Sequence, residues 1–232
     1  GSGGDGIVVI KEVTDKGYRK ASGSILEPGD LQYHIYNILS GMFSLGGQTD
    51  RAIIEYAVQF DPVFDEIAYQ GVPDVRVIVY KGVPAMAMLR LPTQASDGKA
   101  NLHRGGVGVG IDLSTGRTLA GIQKNRYIDN HPETGKPLRD RQIPHWQSIV
   151  EMAAKLGDKT GFGYLGVDIV LDREKGPLLL EINARPGLSI QIANREGLIS
   201  RLEAIDAALP KLSGIGDKIT FAREKFAVTN SC

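Results

Sequence analysis

The chain is short of several things at once. Its one cysteine, Cys232, can close no disulfide within the chain, which fits a reducing compartment. Neither charge sign is in excess, since 27 Lys and Arg balance 27 Asp and Glu, so no global field draws the protein to nucleic acid or an anionic membrane. No apolar run approaches the ~20 residues of a membrane-crossing helix, and the first residues do not read as a basic-then-apolar leader. Histidine is scarce and scattered, at 34, 103, 131 and 145, which argues against a hydrolase that builds its metal site from imidazoles. A P-loop is missing too: no Lys-Ser/Thr follows the opening glycines. These absences give a soluble, cytoplasmic protein with neither nucleic-acid nor membrane partners. Its 232 residues suffice for one large domain or two small ones.

What is present is β structure arriving in pairs. The β-branched run after the opening GSGGDG predicts a strand over 7–13, and helical spacing predicts a helix over 31–40 with Asp30 as N-cap. RAIIEYAV reads as a strand over 51–58. Two strands follow over 75–91 about Lys81-Gly82, and a second hairpin over 108–122 about Ser114-Thr115-Gly116. Residues 123–144 read as a polar surface insertion. A helix over 145–157 is expected to stop at Gly157, and another lies near 198–208. Hairpins with interspersed helices make the class α+β with antiparallel sheet.

The hairpin within 164–187 carries the chemistry. With Arg173–Gly176 as its loop, Asp168 falls opposite Glu181, and Asn183 shares the face of Glu181. Like charges directly opposed repel, so something positive belongs between them. Two carboxylates and an amide oxygen suit Mg²⁺; in another arrangement the two acids would face apart or pair with Arg185 and other bases. Upstream, Arg90, Lys99, His103 and Arg104 lead into Gly105-Gly106. Guanidinium forks and nearby backbone N–H groups suit phosphate there, although a charged surface loop would look the same.

In order, the pieces GSGGDGI, IIEYAV, DVR, R…KANLHRGG and GVDIV…GPLLLEINARPGL resemble the ATP-grasp superfamily, most closely RimK-type and alpha-L-glutamate ligase-related proteins. The resemblance implies two α+β subdomains, 1–56 and 57–232, holding ATP and Mg²⁺ or Mn²⁺. It also implies a ligase that phosphorylates a small-molecule or peptide carboxylate and joins it to an amino acid or other amine. An inactive nucleotide-binding module is the alternative, and a homo-oligomer is compatible with either. Residue by residue, it gives Gly3, Gly4 and Gly6 the triphosphate loop, Glu55 and Tyr56 the adenine, and Asp74 a nucleotide contact. It places Lys99 and Asn101 on the nucleotide as well, with Asp168, Glu181 and Asn183 on the metal. Arg90, Arg104 and Arg185 fall on the γ-phosphate or acyl phosphate. No lysine-bearing strand precedes the glycine loop, so the resemblance implies that the N-terminal part of the fold is missing. The segment 125–146 is longer than the RimK-type pattern, as an acceptor-shaping insertion would be.

Overall fold

A computed structural model of the chain describes residues 6–20, 22–44, 46–69, 71–96, 98 and 100–228. Gly3, Gly4 and Lys99 lie outside the described residues. The chain divides into two compact units, Gly1–Ala57 and Val58–Cys232.

The first unit holds three short antiparallel strands, β1 (Ile10–Thr14), β2 (Gly17–Lys20) and β3 (Ile25–Leu26), followed by helix α1 (Pro28–Leu39). The strand starts at Ile10 rather than at residue 7, because β2 reaches back only as far as Ile10. The helix begins earlier than Asp30. Pro28 at its first position has a φ preset for helix and no N–H to satisfy, which leaves Asp30 in the first turn, where the dipole favours an acid. No residue of α1 is buried. The expected strand over 51–58 does not form. That segment stays outside both sheets with Ile53 and Ile54 exposed, because no neighbouring strand offers it a ladder.

The second unit is built on a seven-stranded, wholly antiparallel sheet. Its strands are β4 (Asp74–Tyr80), β5 (Val83–Leu91), β6 (Val107–Ile111), β7 (Thr118–Gln123), β8 (Arg126–Ile128), β9 (Tyr164–Asp172) and β10 (Gly176–Asn183). They lie side by side in the order β10-β9-β4-β5-β6-β7-β8. Lys81 and Gly82 turn β4 into β5 with φ of 49° and 79°, the two-residue turn whose twist matches the strands it joins. Helices α2 (Trp146–Thr160), α3 (Ser189–Asn194), α4 (Leu198–Ala208) and α5 (Ile215–Lys225) complete the unit. The main core lies between Val75, Val77, Val79, Val167 and Ile169 of the sheet and Ile149, Val150 and Ala153 of α2. Among the described residues, no helix is long and apolar enough to cross a membrane.

Two readings change here. Helix α2 runs through Gly157 to a left-handed cap at Gly161, because Gly157 is there for close approach: a Cβ on it would meet Val79 Cγ1 at 2.6 Å and Gly82 Cα at 3.0 Å. The polar stretch 123–144 also does more than cover the surface. It supplies β8 and buries His131 and the apolar anchors Leu138 and Ile143, which are spaced too widely to show as a pattern.

Candidate functional site

Register decides which side chains meet. In an antiparallel ladder, directly paired residues point to the same face, so pairs can be followed across strands. One row runs Gly110, Met88, Arg76, Asp168, Glu181 from β6 to β10. The next runs Tyr127, Ile122, Gly108, Arg90, Asp74 from β8 to β4. A third pairs Ile78 and Asn183 with Gly166. Asp74, Arg76, Arg90, Asp168, Glu181 and Asn183 therefore cluster on one face.

The pairing of Asp168 with Glu181 depends on a β-bulge. At the turn Asp172 pairs with Gly176 rather than with Pro177, since the loop is one residue shorter than the sequence reading assumed. Asp172 Oδ1 accepts from the N–H groups of Glu174 and Lys175, and Gly176 takes the left-handed position (φ 70°) that ends such a three-residue loop. The extra residue between Leu179 and Glu181 then slips the register by one and brings Glu181 opposite Asp168.

Asp168, fully buried, is the centre of the cluster. Arg76 grips it in a two-pronged pair, Nε to Oδ1 at 2.7 Å and Nη2 to Oδ2 at 2.6 Å. Arg90 adds Nη2 to Oδ2 at 2.7 Å while its Nε donates to Asp74 Oδ1 at 2.6 Å. The Asn183 amide donates to Asp168 Oδ2 and to Glu181 Oε1, both at 3.1 Å. Burial would raise the pKa of Asp168, but the hydrogen bond from Arg76 and the charges of Arg90 and Arg76 outweigh it and hold the carboxyl below its ordinary range. Burial likewise raises Asp74. There Arg90 opposes it, Asp168 repels, and the result is pushed up to about 7.

The positive charge that Asp168 requires is thus supplied by Arg76 and Arg90 from its other side, while the Asn183 amide bridges the two acids; the sequence reading leaves Arg76 unassigned. The signal was legible: in DVRVIVY, alternation places Arg76 on the face of Asp74, and a lone arginine in a valine-rich strand must be paired when buried. Two loops border the cluster. The turn after Asn183 folds back so that Pro186 fills the space above Gly166, where a Cβ would meet Pro186 Cβ at 2.7 Å. Next to it lies the helical turn Leu102–Arg104, since a Cβ on Gly187 would stand 3.6 Å from His103 Nε2. Asn101 caps that turn, its side chain accepting from the His103 N–H at 3.0 Å. Arg104 and Arg185 are exposed, with no acidic partner among the described residues.

Not every expected residue joins this group. Gly6, Glu55 and Tyr56 belong to the first unit. There Gly6, at φ 82°, packs against Phe43 and its carbonyl meets His34 Nε2 at 3.0 Å, while Glu55 and Tyr56 lie exposed in the segment outside both sheets. Among the described residues, no cluster of three or more His, Cys, Asp or Glu side chains could hold a metal ion by themselves. The oxygen set at hand is two carboxylates and an amide.

Among curated proteins, none matches the chain. A family model does, over residues 1–207, and its description is sugar-transfer associated ATP-grasp. That span takes in the glycine loop, the Asn101–Gly106 loop and the whole ionic cluster, and it carries no mark of RimK-type specificity. The chain belongs to the sugar-transfer associated ATP-grasp family.

Proposed function

We propose that the protein is an ATP-dependent ligase that activates a carboxylate as an acyl phosphate and passes it to an amine. The observation that carries this reading is the cluster itself: the guanidiniums of buried Arg76 and part-buried Arg90 held by Asp168 beside an oxygen set of Glu181, Asn183 and Asp168. Phosphoryl transfer needs positioned positive charge more than it needs a protein nucleophile.

The donor set fits a divalent cation. Asn183 turns its N–H groups to both carboxylates. Turned end for end, the amide would offer its oxygen, and Glu181, Asp168 and Asn183 would form the oxygen-only shell that Mg²⁺ or Mn²⁺ takes. A bound cation would neutralise phosphate charge. Arg90 and Arg76 supply fixed positive charge from the sheet, and Asp168 keeps both heads in place. Arg104 and Arg185, exposed at the bordering loops, are free to reach a γ-phosphate or the acyl phosphate. In the reaction the substrate carboxylate oxygen attacks the γ-phosphorus, ADP leaves, and the amine nitrogen then displaces inorganic phosphate. Glu55 and Tyr56 take the adenine and Gly6 belongs to the triphosphate loop in this reading, which rests on the family likeness. The family description turns attention to a sugar-bearing substrate rather than to glutamate.

A nucleotide-binding module without ligase activity is the second reading, favoured by the four donors that already occupy Asp168. Calorimetry with ADP, with and without Mg²⁺, separates the two. The ligase reading expects Mg²⁺-dependent binding that Glu181→Ala abolishes in a folded variant, and a carboxylate-dependent acyl phosphate trapped by hydroxylamine as a hydroxamate. Arg104→Ala is expected to weaken ATP far more than adenosine. Binding indifferent to Mg²⁺ and to Glu181→Ala would leave only the second reading.

A further inference from the structure

Six described residues other than glycine hold a left-handed backbone: Lys81, Lys124, Asn125, Asp140, His145 and Arg195. Asparagine and aspartate accept that conformation readily, whereas lysine and arginine gain nothing from it. Lys81 has a use for its charge in a 2.6 Å pair with Asp206. Lys124 and Arg195 have no acidic partner among the described residues, and both are exposed. Arg195 stands where a helix most often ends in glycine, as the C-cap of α3 at φ 55°. A cation kept at such a position points to a task for its side chain.

That side chain lies on an aromatic ring. The Arg195 guanidinium is 4.1 Å from the centroid of the Tyr127 ring, and Tyr127 is still 50% exposed. Lys124 stands in the tight turn that leads into β8, three residues before Tyr127. Tyr127 belongs to the row that ends at Arg90 and Asp74, so it emerges on the same face as the ionic cluster. Three strand spacings separate Tyr127 from Arg90, about 14 Å. The middle of the face is roofed, because Leu102 covers Gly108 and the end of α3 covers Gly110. Tyr127 is therefore a platform of its own, built from the stretch that exceeds the RimK-type pattern.

We propose that Tyr127, Arg195 and Lys124 form a second substrate subsite for an anionic sugar. The C–H face of the sugar ring lies on the open side of Tyr127, and its carboxylate or phosphate is held by Arg195 and Lys124. This rests on the ligase reading and deepens it, giving the sugar-bearing substrate a place distinct from the phosphate site.

The test uses the full chain with glucuronate, glucose 6-phosphate and uncharged glucose as probes, read by calorimetry and by saturation transfer to the sugar protons. Expected is binding of one or both anionic sugars, weakened by salt, with glucose bound more weakly. Tyr127→Ala and Arg195→Gly should each weaken it about tenfold, the effect of roughly one lost cation–π or ionic contact. Tyr127→Phe should retain it. Arg195→Gly removes the cation while relieving the left-handed backbone, so that variant should melt no lower than the parent. Glucuronate preference would assign the charge to a carboxylate, glucose 6-phosphate preference to a phosphate. Absence of anionic sugar binding, equal binding by the variants, or displacement of the sugar by AMP would overturn the subsite. Mg²⁺-ADP is titrated in parallel. Its binding without any sugar binding sinks the subsite alone, and sugar binding without Mg²⁺-ADP sinks the ligase reading alone.

Discussion

Asp74 and Asp168 share Arg90 on one face of the sheet, and their acidities shift in opposite directions. Arg90 shows the tension in the pair. Burial alone would lower it, yet the charges of Asp74 and Asp168 raise it, while Asp74 itself is raised as though it ionised late. The 2.6 Å contact between Arg90 Nε and Asp74 Oδ1 is that of an ion pair, and the upward shift at Asp74 comes first from burial of that carboxyl. Its consequence for stability follows by linkage. Unfolded, Asp74 ionises near its ordinary 3.8 and in the fold near about 7, so its contribution is complete below the first value and is lost as pH rises through the second. Asp168 contributes the reverse: its stabilisation is present above its ordinary value and is lost as pH falls through the depressed one. Asp74→Asn is therefore expected to flatten the decline in melting temperature between about pH 4 and 7, measured by thermal scans against the parent. An unchanged slope would mean that Asp74 titrates normally.

At the scale of elements, packing overrides local preference in α2. Alanine is a better helix former than glycine by about 0.8–1.0 kcal/mol, so propensity alone would make Gly157→Ala stabilising. The new methyl would fall 2.6 Å from Val79 Cγ1 and 3.0 Å from the backbone of Gly82. Backbone cannot turn aside, and overpacking of this kind costs typically about 1–3 kcal/mol. Gly157→Ala is expected to lose about 1 kcal/mol net in denaturant unfolding, and a gain would show that the helix can lift off the hairpin at no cost. The same contest explains the missed stop signal: glycine ends helices when it sits at a free C-terminus, and here it sits at a crossing point. Hairpins fared differently. Lys81-Gly82 and Ser114-Thr115-Gly116 turn where the sequence places them, because a turn is a local property of a few residues.

For the molecule as a whole, order is distributed unevenly between the two units. The second carries the strands β4, β5 and β9, buried along nearly all of their length, with α2 and α5 packed beside them. The first has two- to five-residue strands and a helix without a buried residue. Amide exchange by mass spectrometry is expected to show β4, β5 and β9 protected up to global unfolding and residues 10–39 exchanging by local opening, orders of magnitude faster. Equal protection in both units would contradict this division.

The sequence by itself determined the α+β class, the hairpins, the ATP-grasp superfamily and the meeting of Asp168, Glu181 and Asn183. These rest on alternation, turn chemistry and short-range spacing, all of which a linear pattern records. It could not place the last pairing for the right reason. The loop was read one residue too long, and the bulge after Leu179 happened to restore the same partners. A bulge is chosen by the neighbouring strand and the side chains around it, not by the strand's own residues. Only the tertiary structure decided that Arg76 is the counter-charge, because it stands 92 positions from Asp168 and meets it through strand order. The same holds for Arg195 on Tyr127, and for the place of 51–58 outside both sheets, whose apolar pattern promised a strand that needs a neighbour to exist. Periodicity tells a residue which way to face; the partner it faces is fixed by long-range pairing that no local pattern contains.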